Sequence, residues 1–372
     1  MSDQYTGADL FVDALERYGV THLFGNPGTT ELAVMEALAG SELEYVLGLH
    51  EDVAVGAAAG YAQTRRYHSH HDDSVMPAGV ANLHITPGLA HGLGNLYGSK
   101  WTGAPLVLTA GNHELDFRHE EPLLTGDLQE MVQQFTKFDA EVTAVEALPG
   151  LLRRAFRTAL TPPTGPVFLA LPQDVMMSET DARPEALGPI PTAGRGDAAQ
   201  VERAADLLCE ADDPVFVLGD GVARSGYEAV TAAMDLAEAA GARVHGEILA
   251  SEVNFPTDHE QFLSYIPPNE GLASMLMNTD TLLFVGCSTN TTLLRHESPL
   301  VREDATCIHV GDDPDALAKR QSADAAVLGD PGAVLAELAE RVGAELPDET
   351  RDARLEKVRE TAESLASTVE SM

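Results

Sequence analysis

Apolar residues recur along this chain in two alternating arrangements, a helical spacing and a short unbroken run. Across residues 6–19, Leu10, Phe11, Ala14, Leu15 and Tyr18 share one helical face, and Gly19 offers the left-handed turn that ends such a helix. Residues 20–24 then form an apolar run that predicts a buried strand. Gly25-Asn26-Pro27-Gly28 breaks it, and Thr29 or Thr30 is placed to cap a helix carrying Glu31, Leu32, Met35 and Leu38. The alternation continues. A short strand ending near Leu49 runs into a helix that starts at His50-Glu51 and is built almost wholly of Ala, Gly and Val. Residues 79–83 predict a strand ending at His84, and residues 105–110 another, ending in Gly111-Asn112-His113. After a loop over residues 115–127, residues 145–160 predict an amphipathic helix and residues 165–172 a final strand. Strand, tight turn and helix in repetition is the parallel-sheet crossover unit, whose ligands bind beyond the carboxyl ends of the strands.

Residues 179–197 are rich in Pro, Gly, Ala and charge without periodicity, which predicts a linker. A second crossover set follows, with strands near 215–218, 243–245, 281–285 and 307–310 and helices between them, including residues 227–240. Beyond Ala344 the chain is charged, with helical spacing of Leu355, Val358, Ala362, Leu365 and Val369. The pattern therefore predicts an α/β protein with two doubly wound parallel-sheet domains, residues 1–178 and 198–344, joined by the linker and followed by a helical charged tail over 345–372.

Composition narrows the partners. The chain has 23 Lys and Arg against 59 Asp and Glu, a net charge of −36, and its only lysines are Lys100, Lys137, Lys319 and Lys357. Such a surface repels phosphate backbones, which excludes nucleic acid as a partner. Acids spread through every segment point to a surface adapted to high salt, where screening suppresses self-repulsion. No apolar run is long enough to span a bilayer and no basic-then-apolar leader precedes the first helix, so a cytoplasmic protein without membrane contact is expected. Cys209, Cys287 and Cys307 lie in apolar surroundings without metal-ligand spacing and read as core residues of a reduced compartment.

Two residues carry the candidate chemistry. A helix of small residues permits close backbone approach, so the turn holding Glu51 is expected to press against a dense surface and to withdraw its carboxyl from water. Withdrawal favours the protonated form, which prepares a Glu to share a proton with a weakly basic ring nitrogen. The plainer alternative is an acid favoured at a helix start by the dipole. His84 ends a strand on the same edge as Glu51 and the Asn26 turn. His68, His70 and His71 lie in a polar stretch over 64–74 that reads as a solvated surface insertion, and no metal ligand set is expected in the chain.

Phe24-Gly25-Asn26-Pro27-Gly28-Thr29-Thr30-Glu31-Leu32, then His50-Glu51 followed by Gly60-Tyr61-Ala62, then Asn82-Leu83-His84 and Pro87-Gly88, resemble the pyrimidine-binding domain of thiamine diphosphate enzymes of the benzoylformate decarboxylase and acetolactate synthase types. The resemblance implies that Glu51 hydrogen-bonds the aminopyrimidine ring and promotes its imino tautomer, and that Asn26, Pro27, Gly28, Pro87 and Gly88 line the cofactor. It makes Thr29 a hydroxyl facing substrate and His84 a histidine that moves protons to and from it. His91, also expected to line the cofactor, stands where the family commonly has Asn, and His113, a further candidate for the site, stands where it often has Gln. His296 falls near the place of a second active-site histidine.

The second crossover set resembles the family's central domain, which carries a flavin (FAD) in acetolactate synthases. No nucleotide fingerprint supports one here. Gly219-Asp220-Gly221 looks like the start of the family's diphosphate and magnesium motif, but it follows the first strand of the central domain and Asn254 lies too far on, so it reads as a tight strand-to-helix turn. The third domain of the family, which binds Mg2+ and the diphosphate, would need residues beyond Met372. The reading is therefore a thiamine diphosphate-dependent 2-oxo acid decarboxylase or carboligase polypeptide, a fragment or half of a split enzyme, assembled as a homodimer or tetramer and completed by a separate chain carrying the diphosphate-binding domain. The alternative is a non-catalytic regulatory or oligomerisation homologue that has lost its third domain.

Overall fold

In the computed structural model, which describes residues 5–287 and 295–370, both sets of apolar runs become parallel sheets of six strands. The chain divides into two compact units, Met1–Pro191 and Thr192–Met372. The first unit runs α1 (Gly7–Arg17), β1 (His22–Asn26), α2 (Leu32–Leu38), β2 (Glu44–Leu47), α3 (Glu51–Ser69), β3 (Gly79–Leu83), α4 (Ile85–His91), α5 (Leu93–Trp101), β4 (Leu106–Asn112), β5 (Asp139–Glu141) and β6 (Val167–Pro172). Its strand order is β2-β1-β3-β4-β6-β5. The central strands β3 and β4 are buried at every residue, as strands covered by helices on both faces must be, and so read as unbroken apolar runs.

Local chemistry fixes the elements around them. Thr6 and Asp9 form a reciprocal cap that starts α1, and Gly19, at φ +80°, turns the chain out of it. Neither Thr29 nor Thr30 caps α2, because a short 3-10 turn, Thr29–Glu31, precedes it. The polar stretch over 64–74 is largely exposed, as expected, but its first part is helical: α3 continues to Ser69, and Arg66 within it is buried and donates to the Gly103 carbonyl at 3.4 Å. The edge strand β5 has only three residues, Asp-Ala-Glu, too short and too charged to leave a periodic signal.

The second unit contains β7 (Pro214–Leu218), β8 (Arg243–Gly246), β9 (Phe262–Tyr265), β10 (Thr281–Val285), β11 (Thr306–Gly311) and β12 (Ala325–Leu328), in the order β12-β11-β10-β7-β8-β9. The terminal helix Asp348–Glu370 packs rather than trails. Arg354, buried within it, donates to the carbonyls of Ala240 (2.9 Å), Cys209 (3.0 Å) and Ala211, closing the exposed ends of the helices Ala198–Glu210 and Tyr227–Ala240. Among the described residues no helix is long and apolar enough to cross a membrane.

Two histidines in this sheet make the unit acid-sensitive. Burial, reinforced by the nearby Arg243 guanidinium, pushes the His245 imidazole down to about 3, and burial alone pushes His309 down to about 4. In the unfolded chain both would titrate near 6.5. Below that value the unfolded state binds protons that the folded state refuses. The stabilisation is thus complete above the unfolded value and is lost as pH falls, by about 1.4 kcal/mol per pH unit for each histidine. Protection of the β8 and β11 amides, relative to the intrinsic exchange rate at each pH, should fall between about pH 6.5 and about pH 4.5; protection that stays flat across that window would contradict it.

Candidate active site at the carboxyl edge of the first sheet

The carboxyl ends of β1, β3 and β4 converge on one side chain that the sequence reading passed over. Glu31, 1% exposed, accepts at Oε2 from the Gly28 amide (2.8 Å) and at Oε1 from the Gly111 amide (3.0 Å) and the Thr30 hydroxyl (2.6 Å). His84 Nδ1 lies 3.0 Å from Glu31 Oε2 and 3.1 Å from Thr30 Oγ1. A carboxylate crowded by donors accepts, so His84 Nδ1 is placed as a donor toward Glu31. The sequence signal for Glu31 was its place three residues after Gly28, the spacing of a cap that reaches back to a backbone amide.

Glu51 opens α3 at the end of the neighbouring strand. Asn26 Nδ2 donates to the Gly48 carbonyl at 2.8 Å and the Gly48 amide to Gly25 at 2.8 Å, which ties the turn before α3 to the end of β1. The Glu51 side chain is 15% exposed. Two glycines allow the groups to meet. A Cβ on Gly28 would fall 2.3 Å from His84 Nδ1, and one on Gly88 would fall 3.1 Å from His84 Cβ and 3.3 Å from Glu51 Oε1. The Asn26-Pro27-Gly28 turn, His84, Pro87-Gly88 and Glu51 thus form one continuous wall. Ile85, fully buried directly after His84, is held at φ +20°, a costly conformation for a β-branched residue of the kind that collects at functional sites.

His91, the last residue of α4, places Nδ1 3.2 Å from Glu51 Oε2 and is 58% exposed. Thr29 is exposed, while its neighbour Thr30 is buried and reaches His84. His113 ties down the loop after β4: its Nε2 lies 2.9 Å from the Leu123 carbonyl. His296 belongs to the second unit, its Nδ1 3.8 Å from Glu270. Also in that unit, Asp220 accepts from the Ser251 and Glu252 amides and from Asn254 Nδ2 (3.1 Å), so the Gly-Asp-Gly turn after β7 is held by the segment that follows β8.

This carboxyl edge can be set against known proteins. Residues 5–137 match the N-terminal TPP-binding domain of thiamine pyrophosphate enzymes, and residues 201–338 match their central domain. The chain belongs to the thiamine pyrophosphate enzyme family. It is 30% identical over 334 residues to benzoylformate decarboxylase of Pseudomonas aeruginosa, covering 89% of this chain and 61% of that protein. It is 29% identical over 342 residues to acetolactate synthase of Mycobacterium bovis, covering 90% of this chain and 53% of that one. Among solved structures, a thiamine diphosphate-dependent 4-hydroxybenzoylformate decarboxylase of Rhodococcus jostii superposes with a TM-score of 0.79 at 28% identity, over 90% of this chain and 62% of that one. Benzoylformate decarboxylase from Polynucleobacter necessarius gives a TM-score of 0.81 at 26% identity, over 90% and 61%. The chain therefore spans 61% and 53% of the lengths of these two curated relatives, less than two thirds of either.

Family membership implies thiamine diphosphate, and the pyrimidine end of that molecule fits this wall. A partly buried carboxyl stands at a helix start, with a glycine cradle at Gly88 that a side chain would fill. The match to residues 5–137 covers every residue of the wall.

Proposed function

We propose that the first unit holds the pyrimidine end of thiamine diphosphate through Glu51 and belongs to a 2-oxo acid decarboxylase or carboligase. The carrying observation is the juxtaposition of Glu51, Gly88 and His84 on one sheet edge. Bound thiamine diphosphate supplies the nucleophilic, electron-accepting carbon that 2-oxo acids need in order to lose carbon dioxide. The chain's own part is proton management. Glu51 shares a proton between its carboxyl oxygen and a ring nitrogen. His84 presents Nε2 as a base whose tautomer Glu31 fixes, and Thr29 offers a hydroxyl at the rim.

The diphosphate and its magnesium ion call for hard oxygen ligands and charge-assisted donors. We assign those to a diphosphate-binding domain, supplied by further residues of the polypeptide or by a separate chain. Exposed Leu49 and Val53 (91% and 60%) beside Glu51 support self-association through this edge as a homodimer or tetramer, and the charge of −36 supports adaptation to high salt.

Saturation-transfer NMR of thiamine diphosphate with magnesium and this chain tests the reading. Saturation should reach the pyrimidine protons more strongly than the thiazole side chain, and should be lost in Glu51→Gln. Equal saturation in the variant would refute the assignment.

A further inference from the structure

We infer that His50, Glu51 and His91 form a binding site for a borderline divalent ion of the zinc class, with Glu51 as a ligand that this ion and the cofactor must share. One donor atom from each residue lies within 4.8 Å of the other two, and among the described residues no other group of three or more His, Cys, Asp or Glu side chains comes together in this way. His91 Nδ1 is already 3.2 Å from Glu51 Oε2, and the His50 and His91 rings stack with centroids 5.2 Å apart. Two imidazoles and a carboxylate, with a fourth position open to water, is the donor set zinc takes in open sites. It is a poor set for magnesium, which prefers oxygen, so the cofactor's own metal does not compete.

The geometry needs little movement. With bonds of about 2.1 Å, a tetrahedral ion wants donors roughly 3.4 Å apart, so the exposed imidazoles must draw in by about an ångström. Both stand on regular structure, His50 as the cap of α3 and His91 as the last residue of α4. His50 Nδ1 accepts from the Asp52 amide at 3.2 Å, so binding through Nε2 moves the ring proton to Nδ1 and gives up that bond. The positive end of α3 opposes a cation, but the Glu51 charge and the acidic field of the whole chain act against it.

Sharing of Glu51 rests on the cofactor reading above; the ion site does not. Cobalt(II) titration of the full chain, followed by visible absorption, reads the site without any cofactor. One ion per chain, displaced by zinc and lost in His91→Asn and in His50→Gln, is expected. Absence of the bands, or bands unchanged in His91→Asn, overturns the site. In the second arm zinc is added to the chain with thiamine diphosphate and magnesium, and the pyrimidine saturation signal should vanish in step with ion binding. A signal that persists beside bound metal overturns the sharing. If that signal is missing before zinc is added, the cofactor reading fails while the cobalt bands still decide the ion site.

Discussion

In the complete enzyme, Glu51→Gln should lower kcat by about 10²- to 10⁴-fold, the range that a positioned acid or base contributes. Glutamine has the size and shape of the glutamate it replaces and can still fill the space beside Gly88, so packing is preserved. What it lacks is a proton it can give up and take back at the carboxyl oxygen. The loss should fall on kcat and leave KM for the 2-oxo acid little changed, the pattern of an interaction made only in the transition state. Steady-state kinetics of the variant, with thiamine diphosphate and magnesium saturating, checks this. A kcat within a factor of about two of wild type would remove Glu51 from the proton path.

The largest stability effect is expected at Glu31. Glu31→Ala leaves the Gly28 and Gly111 amides, the Thr30 hydroxyl and His84 Nδ1 without their shared acceptor, at a place where solvent cannot replace it. A buried donor left unpaired costs about 1–3 kcal/mol, and loss of a whole buried charged hub about 3–5 kcal/mol. Glu31→Gln should not rescue it, since an amide group turns donors toward donors. The single tryptophan, Trp101 in α5, reports on the first unit alone, so urea unfolding followed by its fluorescence should show the midpoint moving sharply down. An unchanged midpoint would mean that the hub is not what joins the ends of β1, β3 and β4. His84 should also lose its fixed tautomer, so residual activity of Glu31→Gln should show a shifted pH profile as well as a lower rate.

What could be read from the sequence followed from how strongly each element advertises itself. The strands β3 and β10 and the helix Tyr227–Ala240 were legible because a buried crossover unit leaves an unbroken apolar run or a clean helical face. The edge strands β5, β9 and β12 were not, since an edge is short and half solvated. The tail looked detached because its charges dominate, although Arg354 and Val358 bury it against the second unit. At the site, Glu51 and His84 stood out through their positions at strand ends. Glu31 hid inside a turn, where an acid near a helix start is ordinary. Only the fold shows that its two oxygens span strands β1, β3 and β4. The resemblance places His91 beside Glu51 at the cofactor, but that its ring also meets His50 was not legible, since nothing in the spacing brings those two histidines together.

The central claim is that Glu51 hands a proton to and from the cofactor ring. Hydrogen–deuterium exchange of the reactive ring carbon of thiamine diphosphate, bound to the completed enzyme and read by rapid quench and NMR, measures that act without any substrate. Exchange should be faster than turnover in the wild-type protein and slowed by about 10²-fold or more in Glu51→Gln. Equal exchange rates in the two proteins would contradict it.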